Sequence, residues 1–177
     1  MTASPERPRR IFLVGPMGAG KTSVGRQLAG ALELDFVDAD HEVERRAGVD
    51  IATIFEFEGE AGFRRRERLL IDQLTQRDGI VLATGGGAVL DPDNRRALAE
   101  RGLVVYLDTS VAEQLRRTRR DRARPLLQSS DRRATLEKLY QERDPLYREV
   151  ADIVVETNGR RRRSTVDRIL ARLADRA

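Results

Sequence analysis

Apolar residues along the chain fall into two alternating patterns. Short runs at IFLV (11–14), FVD (36–38), IVLA (80–83), LVVYL (103–107) and DIVV (152–155) are too brief for helices and rich in β-branched residues, which predicts buried strands. Between them lie longer amphipathic stretches: TSVGRQLAGAL, EAGFRRRERLLIDQL, DNRRALAERG, SVAEQLRRTRR, DRRATLEKLYQERDPLY and STVDRILARLADR. Strand alternating with helix predicts an α/β fold in which helices cover both faces of a parallel sheet. No repeat and no linker divides the chain, and 177 residues suffice for one domain with a real core. In such a sheet ligands collect at the carboxyl ends of the strands. The segment RRDRARPLLQSSD (119–131) is charged, with little apolar periodicity, and reads as a mobile loop.

Composition narrows the chemistry. There is no cysteine and one histidine, His41, so disulfides, thiolate metal sites and histidine clusters are excluded. No apolar run nears the roughly 20 residues that span a bilayer, and MTASPERPRR lacks an apolar stretch after its charges, so the expectation is a soluble, cytoplasmic protein without a membrane partner. A pI near 10.1 raises nucleic acid as a partner, but net charge is only +4 and acids are interspersed with arginines through most of the chain. The densest basic run, Arg160 to Arg163, lacks interleaved aromatics and reads as a solvated turn before the last helix.

The stretch IFLVGPMGAGKTSVG (11–25) carries the strongest signal. Lys21 and Lys138 are the only lysines among 33 basic residues, so a lysine at 21 marks a site that needs an ammonium. Gly15, Gly20, Lys21 and Thr22 fit G-x-x-x-x-G-K-[ST] between a predicted strand and a predicted helix. The glycines let the backbone curl its N–H groups towards phosphate oxygens, so Gly15, Gly18, Ala19, Gly20 and Ser23 join Lys21 and Thr22 as candidate nucleotide-binding residues. A thin lysine stem carries a compact charge to the β- and γ-phosphates, and the Thr22 hydroxyl is a Mg²⁺ ligand in this arrangement.

Other residues point to an acceptor. FVDAD ends the second strand, and strand alternation places Asp38 and Asp40 on one side, one for a metal and one for a hydroxyl, unless Asp40 merely caps the helix of HEVERRAG. Asp108, ending LVVYLD, competes for the metal. In EAGFRRRERLLIDQL the apolar stripe Phe63, Leu70, Leu74 lacks one turn, filled by Glu67; an inward carboxylate needs a partner, and Arg64 is placed to provide it. Arg65, Arg66 and Arg68 read as a solvated face. In TGGGAV (84–89) Gly85, Gly86 and Gly87 follow the third strand, where a small ligand approaching the backbone explains three glycines better than packing alone.

GPMGAGKT, FVDAD, FRRRE, TGGGAV, RPLL and RDPLYREVA occur in that order, and with them the chain after its first ten residues resembles the shikimate kinase family. The resemblance implies a P-loop kinase with a central five-stranded parallel sheet in three α/β/α layers, a substrate-binding region at about 40–78 and a mobile lid at about 119–131. Residues 1–10 are then an N-terminal extension, expected to be flexible, and the rest one domain, expected to be monomeric. It implies transfer of the γ-phosphoryl of ATP, with Mg²⁺, to the 3-hydroxyl of shikimate. Asp40 then corresponds to the base on the acceptor hydroxyls and Asp38 to the acid that holds Mg²⁺ through water. Arg64 and Arg143 correspond to the clamp on the acceptor carboxylate, helped by Gly86. Arg124 corresponds to the lid arginine that reaches the phosphates, and Arg117 to the arginine lying against adenine. Two segments depart from the family pattern: the arginine-rich RRDRA before RPLL, and ETNGRRRRS, which has Gly159 and no proline on the adenine side. Another P-loop small-molecule kinase, such as a gluconate kinase, is the alternative; a nucleotide-dependent nucleic-acid-binding protein is the second.

Overall fold

All five predicted strands are present in the computed structural model, which describes residues 8–121, 127, 128 and 130–176. They are β1 (Arg10–Val14), β2 (Asp35–Asp38), β3 (Ile80–Ala83), β4 (Leu103–Asp108) and β5 (Ile153–Glu156), ordered β2-β3-β1-β4-β5 with every pair parallel. β1 is central, flanked by β3 and β4. Its residues alternate between two cores, as period-two geometry requires. Ile11 and Leu13 pack with α1 (Lys21–Leu32) and α7 (Arg162–Ala174) on one face. Phe12 and Val14 pack on the other with α2 (Ala39–Ala47), α3 (Ile51–Leu74), α4 (Pro92–Arg101) and α6 (Arg132–Val150). This is the three-layer arrangement the pattern predicts. The short α5 (Val111–Arg117) follows β4.

Helix starts follow capping chemistry. Asp50 accepts from Thr53 N–H at 2.8 Å to open α3, Asp131 from Ala134 N–H at 3.0 Å to open α6, and Asp91 with Pro92 opens α4. Several boundaries differ from the sequence reading. The Ile80 N–H donates to the Arg9 carbonyl at 2.9 Å and β1 begins at Arg10, so the sheet takes in two residues assigned to the extension. α7 starts at Arg162, inside the arginine run rather than after it. α3 begins nine residues before the stretch that the periodicity marks, and it is two helical pieces joined at Gly59, whose φ of 69° and ψ of −179° interrupt the helix. Part of the expected loop is anchored: Leu127 is buried against Met17 and Leu136.

Candidate active site

The residues after β1 curl into a loop whose last member, Gly20, sits at φ 88°, a left-handed conformation that glycine adopts without steric cost. No side chain caps α1, so its first-turn N–H groups are open to an anion and the helix dipole adds to the attraction. Lys21 arcs back over the loop and donates from Nζ to the carbonyls of Gly15 (2.7 Å) and Pro16 (2.9 Å). Gly18, Ala19, Gly20, Lys21, Thr22 and Ser23 line a cavity of about 700 Å³. Gly15 is not among its lining residues and contributes through its carbonyl.

The Thr22 hydroxyl donates to Asp38 Oδ2 at 2.5 Å, bringing together the two residues expected at a metal. The other Asp38 oxygen accepts from the Asp40 and His41 N–H groups at 3.0 and 3.2 Å, so Asp38, and not Asp40, caps α2. Strand alternation therefore does not extend to Asp40: β2 stops two residues earlier, at Asp38, and Asp40 reaches the same cavity from the first helical turn. Asp108 is occupied elsewhere, accepting from Tyr140 (3.1 Å), Arg148 (2.8 Å) and Tyr106 (3.3 Å). Among the described residues no group of three or more His, Cys, Asp or Glu could hold a metal. A single carboxylate and a hydroxyl, both hard oxygen donors at a phosphate loop, are what Mg²⁺ uses when the nucleotide and water complete its shell.

Arg117, expected against adenine, lines the cavity, and the N–H groups of its guanidinium brace the loop. It donates to the carbonyls of Gly18 (3.0 Å), Ala19 (3.3 Å) and Thr157 (2.9 Å), while Glu113 accepts from its Nε at 2.8 Å. These bonds tie the loop to α5 and to the end of β5. Arg124 lies outside the described residues.

A second cavity of about 260 Å³ adjoins the first, and Asp40 and Gly86 line both. Its wall carries Arg64, Glu67, Arg143 and the three glycines Gly85, Gly86 and Gly87. Glu67 is 1% exposed, and Arg64 donates to its Oε2 at 2.7 Å, the pairing expected from the interrupted apolar stripe. Burial pushes the Glu67 carboxyl above the usual glutamate range, and the charge and hydrogen bond of Arg64 draw it back. Burial works to lower the Arg64 guanidinium, yet the Glu67 charge holds it above its usual value. Arg64 Nε, Arg143 Nε and Glu67 Oε1 are buried without hydrogen-bond partners, so the pair of arginines retains donors for an anion. The reading of the triple glycine needs revision at two positions. A Cβ at Gly85 would lie 2.7 Å from Asp40 Oδ1 and 2.9 Å from Glu67 Oε1, and one at Gly87 would strike the Arg64 guanidinium. What crowds Gly85 and Gly87 is the protein's own charged side chains.

Arg64→Ala therefore removes more than a ligand contact. It should lower stability by roughly 1–3 kcal/mol through the unsatisfied buried carboxylate, which is about 2–4 °C of melting temperature per kcal/mol for a domain of this size. Arg143, which makes no close ion pair among the described residues and acts on Glu67 only through its charge, should cost less when truncated. Because the folded-state Glu67 pKa lies above its unfolded value, its contribution is fully present below the unfolded pKa and declines as pH rises. Removing Arg64 takes away the charge and hydrogen bond that draw this pKa down, so it rises further in the variant, and the stability gap between Arg64→Ala and its parent should narrow as pH falls. Equal melting temperatures for Arg64→Ala and Arg143→Ala would show that Glu67 is supported otherwise.

Several lining residues were not legible beforehand. Phe55 and Phe63 meet across the Gly59 break, ring centroids 5.1 Å apart, and wall the smaller cavity with Ile51 and Met17. Arg160, Arg161 and Arg162 border the larger cavity, where the sequence suggested only a solvated turn. Arg65, Arg66 and Arg68 are exposed, as expected.

A phosphate loop opening onto a second cavity walled by arginines is the layout of a P-loop kinase, which brings a nucleotide and a small anionic acceptor to a common border. The family model for shikimate kinase matches residues 17–174. Shikimate kinase of Halorhodospira halophila (strain DSM 244 / SL1) is 63% identical over 166 residues, 94% of each chain. The solved structure of shikimate kinase from Acinetobacter baumannii in complex with shikimate superposes with a TM-score of 0.93 at 52% identity, covering 95% of this chain and 94% of that one. A gluconokinase from Sinorhizobium meliloti 1021 shares the fold, with a TM-score of 0.58 at 20% identity over 97% of this chain and 95% of that one. The chain belongs to the shikimate kinase family and is an ATP-dependent kinase.

Proposed function

We propose that this chain takes ATP in the larger cavity and shikimate in the smaller, and transfers the γ-phosphoryl to the shikimate 3-hydroxyl. The observation that carries the reading is the shared border: Asp40 and Gly86 line both cavities, so a hydroxyl held by Asp40 faces the end of the phosphate loop. Phosphoryl transfer asks a protein mainly to position two substrates in line and to neutralise developing charge. Lys21 and the α1 N–H groups hold the phosphates; Arg64 and Arg143 hold the acceptor carboxylate; Asp40 accepts the proton of the attacking hydroxyl. Thr22 and Asp38 hold Mg²⁺, which when bound neutralises phosphate charge. Arg124, in the segment 119–131 assigned to a lid, closes over the nucleotide and excludes water, which would otherwise take the phosphoryl group. The segment 40–78, which includes Asp40, Arg64 and Glu67, is the acceptor-binding region, and the reaction takes place in the cytoplasm.

Coupled ADP release measured with shikimate, gluconate and nucleoside monophosphates tests the assignment. Turnover should require shikimate, with gluconate and nucleotides near background. Preferred turnover of gluconate would transfer the chain's activity to the other small-molecule kinases, and ATPase driven only by RNA or DNA would overturn the acceptor site altogether.

A further inference from the structure

Tyr147 lies one helical turn beyond Arg143 on α6 and is 1% exposed. Its hydroxyl donates to the Gly86 carbonyl at 2.5 Å, a bond that links residues 61 apart in the chain. The surrounding backbone makes that bond informative. In the 3₁₀ turn over Ala88–Leu90, the Ala88 N–H reaches the Gly85 carbonyl at 3.2 Å and the Leu90 N–H reaches the Gly87 carbonyl at 3.1 Å. The carbonyl between them, that of Gly86, takes no bond from this turn and points to Tyr147 instead. A trans peptide is planar, with its N–H opposed to its C=O, so anchoring the Gly86 carbonyl fixes the direction of the Gly87 N–H. That N–H has no acceptor among the described residues, and Gly87 lines the smaller cavity.

We propose that Tyr147 is a positioning residue for the acceptor: its hydroxyl sets the peptide between Gly86 and Gly87, and with it the glycine wall that faces Arg143. Burial pushes the hydroxyl up to about 12, against the charge and hydrogen bond of the neighbouring Arg143, so it remains a donor throughout the neutral range. The ring is held from behind by Tyr106, at 4.9 Å between centroids. The hydroxyl of Tyr106 goes elsewhere, to Asp144 at 2.7 Å and Asp108 at 3.3 Å, which makes Tyr106 a control of matching size, burial and location. A mere packing role for the tyrosine pair would make the two hydroxyls equivalent in their effect on the acceptor.

The inference rests on the assignment of the smaller cavity to the acceptor, and the test separates the two. Tyr147→Phe, Tyr106→Phe and Arg143→Ala are compared in the full chain by steady-state kinetics, by titration with ADP and by melting temperature. Tyr147→Phe should raise KM for shikimate about tenfold, the scale of one hydrogen bond, with ADP affinity and KM for ATP within about twofold of the parent. Tyr106→Phe should leave KM for shikimate within about twofold. An unchanged acceptor KM in Tyr147→Phe, with Arg143→Ala impaired, would overturn the role of Tyr147 and leave the cavity assignment standing. Equal acceptor defects in the two phenylalanine variants would overturn it too, by showing that α6 packing is responsible. An acceptor KM indifferent to Arg143→Ala would remove both. If Tyr147→Phe does not fold, amide exchange in the parent protein decides: the Gly87 N–H should gain protection on adding shikimate, and no gain would refute the proposal.

Discussion

Asp40→Asn should lose two to four orders of magnitude in kcat while binding ADP as the parent does. The residue is reached by both cavities, and its own N–H is held by Asp38 at 3.0 Å, so the backbone that carries it is fixed whatever the side chain. Asparagine keeps the size and can still accept a hydrogen bond from the acceptor hydroxyl, but it cannot take up the proton as transfer proceeds. Loss of a general base costs on the order of 10² to 10⁴ in rate. The phosphate loop, Lys21 and Thr22 are untouched by the change, which is why nucleotide affinity should hold. Measured kcat within tenfold of the parent would move the proton elsewhere, with Glu67 the next carboxylate on that wall. Asp38→Asn is the companion variant: it should raise the Mg²⁺ concentration needed for half-maximal turnover, because it removes the charge that stands beside Thr22.

Lys21→Arg should be nearly as damaging although the charge is kept. The ammonium lies in the curl of the loop, within 2.9 Å of two of its carbonyls, Gly15 and Pro16. A guanidinium is planar, wider and rigid, and cannot turn in that space between carbonyl oxygens and a phosphate as a three-donor point charge can. Turnover should fall about 10² to 10³-fold, the range for loss of one preorganised donor to developing charge, with a weakened ATP affinity besides. Near-parental turnover would remove the explanation for a lysine at this position in a chain that has only one other, Lys138.

The sheet was legible because buried parallel strands announce themselves as unbroken apolar runs, and the phosphate loop because its glycines and lysine are demanded by the ligand rather than by packing. The pairing of Arg64 with Glu67 was legible for a different reason: a carboxylate interrupting an apolar stripe must be met locally, and one helical turn is local. Asp40 was found through the wrong geometry, since the end of a strand and the start of a helix leave the same two residues near a sheet edge. The first half of α3 escaped because Glu56 and Glu58 alternate with Phe55 and Phe57, blurring the helical period. The anchoring bond of Tyr147 and the bracing role of Arg117 were beyond reach for a common reason. Their partners, the carbonyls of Gly86 and Gly18, are backbone atoms 61 and 99 residues away, and a carbonyl leaves no trace in the sequence.

The break at Gly59 bears on how this enzyme tolerates variation. Its dihedral angles, φ 69° and ψ −179°, fall where residues with a side chain essentially do not go. Yet nothing lies within 4 Å of where a Cβ at 59 would sit, so a survey of crowding would pass any small residue there. A substitution would instead favour an uninterrupted helix from Ile51 onward, swinging Ile51 and Phe55 relative to Phe63 and Arg64. The placement of Ile51 and Phe55 on the wall of the smaller cavity therefore hangs on one pair of backbone torsions, and a substitution at this exposed position, which is not among the lining residues, should change the shape of that cavity while its charged residues stay the same.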